Sequence, residues 1–235
     1  MKKKLRLAAL LLCTMMVLAF SVTALAAANV KVMKRTLKKT TENYAYQVSY
    51  PRTGVKAIDD ELYDYAKDEI EEFIDDIENE YGADLSGLPE EARRSTLDIS
   101  FKLYRRDENT VGFLFEEVTY FGGAAHPTTQ YEAMNFDTRT GEEIDMDDIF
   151  VRGWEKKLAK LCEKPALKAM GTDGSDEFLV EWMRDAMKDA DIFDDAIVLT
   201  KSGILVAFDD YAIGPYAAGA PVISLSNKII RSIVR

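Results

Sequence analysis

The only histidine in the chain, His126, lies in Tyr120-Phe-Gly-Gly-Ala-Ala-His-Pro127, a glycine-rich stretch between two strand-like segments. Nucleophilic catalysis of the Ser-His-Asp or Cys-His kind needs an imidazole beside a nucleophile, and zinc needs several soft or imidazole ligands. A lone histidine meets neither requirement. The favoured reading is that Gly122 and Gly123 allow a sharp backbone path and that His126 hydrogen-bonds to hold it. Of the two cysteines, Cys13 falls in an apolar N-terminal run, and Cys162 sits among Leu158 and Leu161 at an apolar position of an expected helix, as a buried thiol would. Asp137 to Asp148 has some acids of a calcium loop, but Arg139 stands at a ligand position and no glutamate closes the twelfth, so a hairpin turn is expected there. No phosphate-cradling motif follows Gly123. A glycosidase needs only two suitably spaced carboxyls, so acid-based hydrolysis stays open, although no pair can be singled out. No catalytic residue, metal site or cofactor is expected.

The second distinctive stretch is Phe208-Asp-Asp-Tyr-Ala-Ile-Gly-Pro-Tyr-Ala-Ala-Gly-Ala-Pro221, an aromatic loop with two glycines and two prolines. Its tyrosines either pack over the end of a sheet or form rigid contact surface for a partner. The candidate partner contacts are therefore Tyr120, Gly122, Gly123 and His126 in the first loop, and Tyr211, Tyr216 and Gly219 in the second.

These loops need a scaffold. Tyr44, Tyr46, Val48 and Tyr50 alternate as in a strand. Apolar residues from Ile58 to Tyr81 then recur at three- and four-residue steps, which marks the clearest helix; its many acids read as a solvated face. Leu97, Ile99, Phe101 and Leu103 restore a period of two, and strands are expected over Val111–Phe121 and Gln130–Phe136, with a tight turn at Asp137–Gly141. Two helices follow, near 152–170 with a possible break at Pro165, and near 175–189. The second takes Phe178, Leu179, Trp182, Met183 and Ala186 as its buried stripe and Asp173 or Ser175 as its cap. Strands at 196–200, 204–208 and 222–225 and a short helix from Ser226 complete the chain. Strands and helices do not alternate regularly, so the expected class is α+β, an antiparallel sheet with helices packed on it in a single compact domain.

The chain of 235 residues has 30 basic and 41 acidic side chains, a net of −11. Lys2, Lys3, Lys4 and Arg6 precede an apolar run from Leu7 to Phe20, and Ala24-Leu25-Ala26 has the small residues a signal peptidase needs. Residues 1–26 read as a secretory signal, too short in its apolar part for the roughly 20 residues of a membrane span. Its removal leaves 26 basic against 41 acidic side chains, a net of −15. Such a surface does not suit nucleic acid, whose phosphates need a basic footprint. One remaining cysteine cannot make an internal disulfide, so the exported domain relies on its core.

Three segments carry a resemblance. Gly122-Gly-Ala-Ala-His126-Pro, Asn135-Phe-Asp-Thr-Arg-Thr-Gly141 with Ile149-Phe150, and the 208–219 loop resemble the extracellular domain of RsiV-like anti-sigma factors, a domain that also precedes the catalytic domain of PdaC-type peptidoglycan deacetylases. The segments occur in the family's order, and 44–81 resembles its N-terminal half. One departure is the second alanine in Gly-Gly-Ala-Ala-His, where the family more often has one. The resemblance implies residues 27–235 as one such α+β domain, with 44–81 as its N-terminal strand and helix and 95–235 as the rest. It also implies display outside the cytoplasmic membrane of a Gram-positive-type bacterium. RsiV-like members bind lysozyme, so the expected role is a secreted, non-enzymatic binding or sensor domain at the cell envelope. Its candidate partner is lysozyme or another basic extracellular protein, and binding to peptidoglycan is the alternative.

Overall fold

The computed structural model describes residues 30–79 and 85–235; the expected signal at 1–26 and the helix end at Tyr81 lie outside the described residues. In chain order the elements are β1 (Met33–Thr40), β2 (Tyr44–Arg52), α1 (Lys56–Asn79), α2 (Glu90–Arg93), β3 (Ser95–Arg106), β4 (Thr110–Tyr120) and β5 (Thr128–Asp137). Then come α3 (Met146–Ile149), α4 (Trp154–Ala169), α5 (Glu177–Ala186), a 3-10 turn (Asp191–Phe193), β6 (Ile197–Leu199), β7 (Gly203–Ala207), a second 3-10 turn (Tyr216–Ala218), β8 (Val222–Ser226) and α6 (Asn227–Ile230). β1 to β5 form one sheet in sequence order, and β6, β7 and β8 form a second.

The class is α+β, as expected. Pairing is antiparallel throughout except between β2 and β3, which run parallel because α1 carries the chain back along the sheet before β3 begins. β1 has no counterpart among the expected elements. Its side chains are almost all exposed and include Lys34, Arg35, Lys38 and Lys39, so no alternation betrays it, and these charges protect the free sheet edge.

α1 buries Ile58, Leu62, Ala66, Ile70 and Phe73 against one face of the large sheet, where Phe113, Phe115, Met134 and Phe136 project. The alternate residues of β4 and β5 face the small sheet: Leu114 and Ala133 pack with Val198 and Ala207. This double burial accounts for the long apolar run at the start of β4. Buried Asn135 joins the two sheets, because its Nδ2 donates to the Ile197 carbonyl at 2.7 Å and its Oδ1 accepts from the Leu199 N–H at 2.7 Å. Gly112, paired with Asn135 across the ladder, leaves the room for this contact: a Cβ there would lie 2.9 Å from Asn135 Oδ1.

α4 continues unbroken through Pro165. Trp154, Leu158, Cys162 and Ala166, at four-residue steps, bury one stripe in the second core with Ile223 and Leu225. This contact outweighs the lost hydrogen bond. Burial pushes the Cys162 thiol up to about 12, as an inert core residue requires. In α5 only Met183 is fully buried, and Phe178 is 68 % exposed, so the buried stripe is narrower than expected. Asp176, rather than Asp173 or Ser175, caps this helix by accepting from the Leu179 N–H at 3.1 Å. The 137–141 turn forms as expected, with Gly141 at φ 80° and its N–H bonded to the Asp137 carbonyl at 2.8 Å.

Candidate binding surface at two aromatic loops

The first loop, 121–127, joins β4 to β5, and its root is fastened to the segment before β3. The Gly122 N–H donates to Ser95 Oγ at 2.9 Å, the Gly123 N–H to the Ala92 carbonyl at 2.8 Å, and Tyr120 Oη to the same carbonyl at 3.2 Å. A Cβ on Gly122 would stand 2.1 Å from the Arg93 carbonyl oxygen, so only glycine allows this approach. Tyr120 and Gly122 thus sit at the base of the loop and Gly123 is exposed beside it.

The second loop, 208–221, joins β7 to β8 and docks on the outer edge of β5. That edge has unpaired backbone groups, and two consecutive carboxylates take them up. Asp209 Oδ1 accepts from the Tyr131 N–H at 2.7 Å and Asp210 Oδ2 from the Thr129 N–H at 2.8 Å, while the Asp210 N–H returns a bond to the Thr129 carbonyl at 2.9 Å. The next residue, Tyr211, is held at φ 68°, a left-handed backbone that a tyrosine adopts only when its surroundings impose it.

This strained position delivers the Tyr211 ring to His126. Tyr211 Oη and His126 Nε2 are 3.0 Å apart, and His126 Nδ1 is 3.0 Å from the Pro127 carbonyl. A neutral ring protonated on Nδ1 satisfies both contacts, donating to Pro127 and accepting from Tyr211. Tyr216 stacks on the His126 ring, its centroid 3.6 Å from that of His126 with 16° between the planes, and the two tyrosine rings are 5.8 Å apart. Tyr211 remains 45 % exposed and Tyr216 37 %. The structure therefore brings His126, Tyr211 and Tyr216 together from loops 85 residues apart in the chain. Gly219 is exposed just after the 3-10 turn that contains Tyr216, and its N–H bonds the Tyr216 carbonyl at 2.9 Å.

A second feature was missed by sequence reasoning. Beside the loops, a cleft of about 570 Å³ opens between α1, β4, β5 and the 191–195 segment, lined by Glu69, Glu117, Glu132 and Asp209 together with Tyr65 and Tyr131. Burial, then the charge and hydrogen bond of Glu117, push the Glu69 carboxyl up to about 8. Burial, then Asp195 and Glu143, push Glu132 up to about 8 as well, and burial raises Asp209 against the opposing bond from Tyr131. On the far side of 191–195 lies another cleft of about 590 Å³, with Glu143, Asp145, Asp147 and Glu155 in its wall. The sequence places the acids of this helix on a solvated face, whereas Glu69 lines the cleft. The available signal was its spacing, four residues from both Tyr65 and Phe73, which turns it toward the sheet. Among the described residues no group of three or more His, Cys, Asp or Glu is arranged to hold a metal ion, and no helix is long and apolar enough to cross a membrane.

The fold has counterparts among known proteins. Residues 147–228 match the family model described as a protein of unknown function, DUF3298. Crystal structures of DUF3298 family proteins superpose on most of the chain. One, from Bacteroides fragilis, has a TM-score of 0.61 at 14 % identity and covers 88 % of this chain and 95 % of its own. Another, from Pseudomonas aeruginosa, has a TM-score of 0.60 at 16 % identity, with 88 % and 96 % covered. The peptidoglycan-N-acetylmuramic acid deacetylase PdaC of Bacillus subtilis is 22 % identical over 205 residues, which are 85 % of this chain but 41 % of that protein. The chain is thus an α+β protein with a DUF3298 match, similar to one part of PdaC.

Proposed function

We propose that this chain is a secreted, non-enzymatic binding or sensor domain of the bacterial cell envelope, and that it engages a basic wall-directed protein through the His126, Tyr211 and Tyr216 stack. The observation that carries this reading is the stack itself. Three rings from two loops are preassembled, partly exposed and held in place by Asp209 and Asp210, so little conformational entropy is lost when a partner covers them. The neighbouring acidic cleft and the overall acidity would speed encounter with a basic partner. The resemblance to RsiV-like extracellular domains names lysozyme as the first partner to try.

The test is titration of the purified protein, lacking residues 1–26, with a lysozyme at low and high salt. A saturable complex that weakens with salt is expected, and replacing both Tyr211 and Tyr216 by Ala should lower affinity at least about tenfold. Absence of a complex at low salt, or full affinity in the double variant, would sink the assignment. A second reading is a wall-glycan module, favoured by the exposed Phe178 edge-to-face with Trp182 on α5 and by the similarity to a protein named for its action on peptidoglycan. It predicts co-sedimentation with purified peptidoglycan in the absence of any protein partner, lost on Trp182→Ala. Release of soluble fragments in that assay would instead point to acid-based hydrolysis in the cleft.

A further inference from the structure

We propose that the seam where β5 meets the 191–195 segment is a pH-sensitive joint, closed while Glu132 and its neighbours Glu69 and Glu143 carry protons and loosened as they ionise. The seam is narrow. Its backbone link is the Ala133 N–H to the Asp195 carbonyl at 2.6 Å, and beside it the Asp209 carboxyl accepts from the Tyr131 N–H at 2.7 Å. Cavities of about 570 and 590 Å³ flank it on either side, and Asp191, Asp194 and Asp195 border both.

The charges around this joint are of one sign. From α1, Glu69 faces Glu117 of β4 and Glu132 of β5, with Asp68 and Glu72 on its own helix. Glu132 faces Asp195, Glu143 and Asp209. Glu143 faces Asp195 and, from α1, Glu61. Among the described residues no Lys, Arg or His lines either cleft. Asp195 is held at φ 50°, a left-handed backbone that aspartate and asparagine adopt more readily than most residues, at the point where the charges converge.

Glu69 and Glu132 are pushed up to about 8 and Glu143 to about 7, in each case by burial first. Glu143 is open to solvent on its outer side, so Glu69 and Glu132 dominate. The closed seam holds protons that an open one releases near the ordinary carboxyl value. Its contribution to stability is therefore complete below about pH 4.5 and declines as pH rises through 8.

Amide hydrogen exchange on the whole domain between pH 6 and 9 tests this. The Ala133 amide should accelerate at least about tenfold beyond the base-catalysed increase shown by the Phe113 and Phe115 amides in the core. The double variant Glu69→Gln/Glu132→Gln, neutral at every pH, should lose that excess. Asp195→Asn should reduce it too while tolerating the same backbone, and this exposed change decides the matter if the double variant fails to fold. No excess in the unaltered protein, or the same excess in Asp195→Asn, would overturn the joint.

Discussion

The two ends of the β4–β5 pair make opposite use of one ladder. At one end, Thr110 to Phe115 and Ala133 to Phe136 are buried, because α1 closes over one face and the small sheet over the other. At the other end Glu117, Gln130 and Glu132 continue the face that meets α1, but together with Glu69, Glu72 and Asp76 of α1 they line an acidic cleft. The backbone pairing is continuous between the ends. What differs is what α1 presents to the sheet, apolar side chains such as Ile58 and Leu62 at one end and Glu69, Glu72 and Asp76 at the other, so the same strands meet a packed core at one end and an acidic cleft at the other.

The largest effect should come from breaking the sealed end. Asn135→Ala leaves the Leu199 N–H and the Ile197 carbonyl buried without their partner and should cost about 3 kcal/mol in denaturant unfolding. A loss below about 1 kcal/mol would show that Asn135 does not hold the sheets together. Gly122→Ala should cost about 2 kcal/mol, since the added methyl meets the Arg93 carbonyl, and it should also shift the NMR signals of His126. At the open end the effect should change with pH. Glu132→Gln is expected to be near neutral at pH 4.5 and stabilising by about 1–2 kcal/mol at pH 9, where the natural carboxyl is ionised in a place that disfavours charge. Equal effects at both pH values would mean that its partial burial does not matter. The smallest change is Tyr211→Phe, which removes the bond to His126 but keeps the ring. It should cost about 0.5–1 kcal/mol in thermal unfolding and leave partner binding close to that of the natural protein, in contrast to loss of the rings.

Much of this could be read in the chain. The three- and four-residue spacing from Ile58 to Phe73 is the buried face of α1, and the alternation from Leu97 to Ile99 reflects β3 with one face on the core. Other features left no local trace. β1 is a strand because β2 offers it an edge, and its own lysines and arginine show no period. The parallel pairing of β2 with β3 depends on where α1 returns the chain, and Phe178 reads as core although nothing covers it. The two loops could each be picked out by their glycines, aromatics and histidine, but their meeting could not. It depends on Asp209 and Asp210 finding the free edge of β5.

Composition and periodicity alone determined that this is an acidic α+β chain with a buried cysteine, a dominant helix and two unusual loops, because burial periods and turn residues are local properties. Only the tertiary structure decided that His126, Tyr211 and Tyr216 form one stack and that Glu69 and Glu132 share a cleft without counter-charge. Both outcomes depend on contacts between residues distant in the chain, the second loop docking on the edge of β5 and α1 crossing the face of β4 and β5.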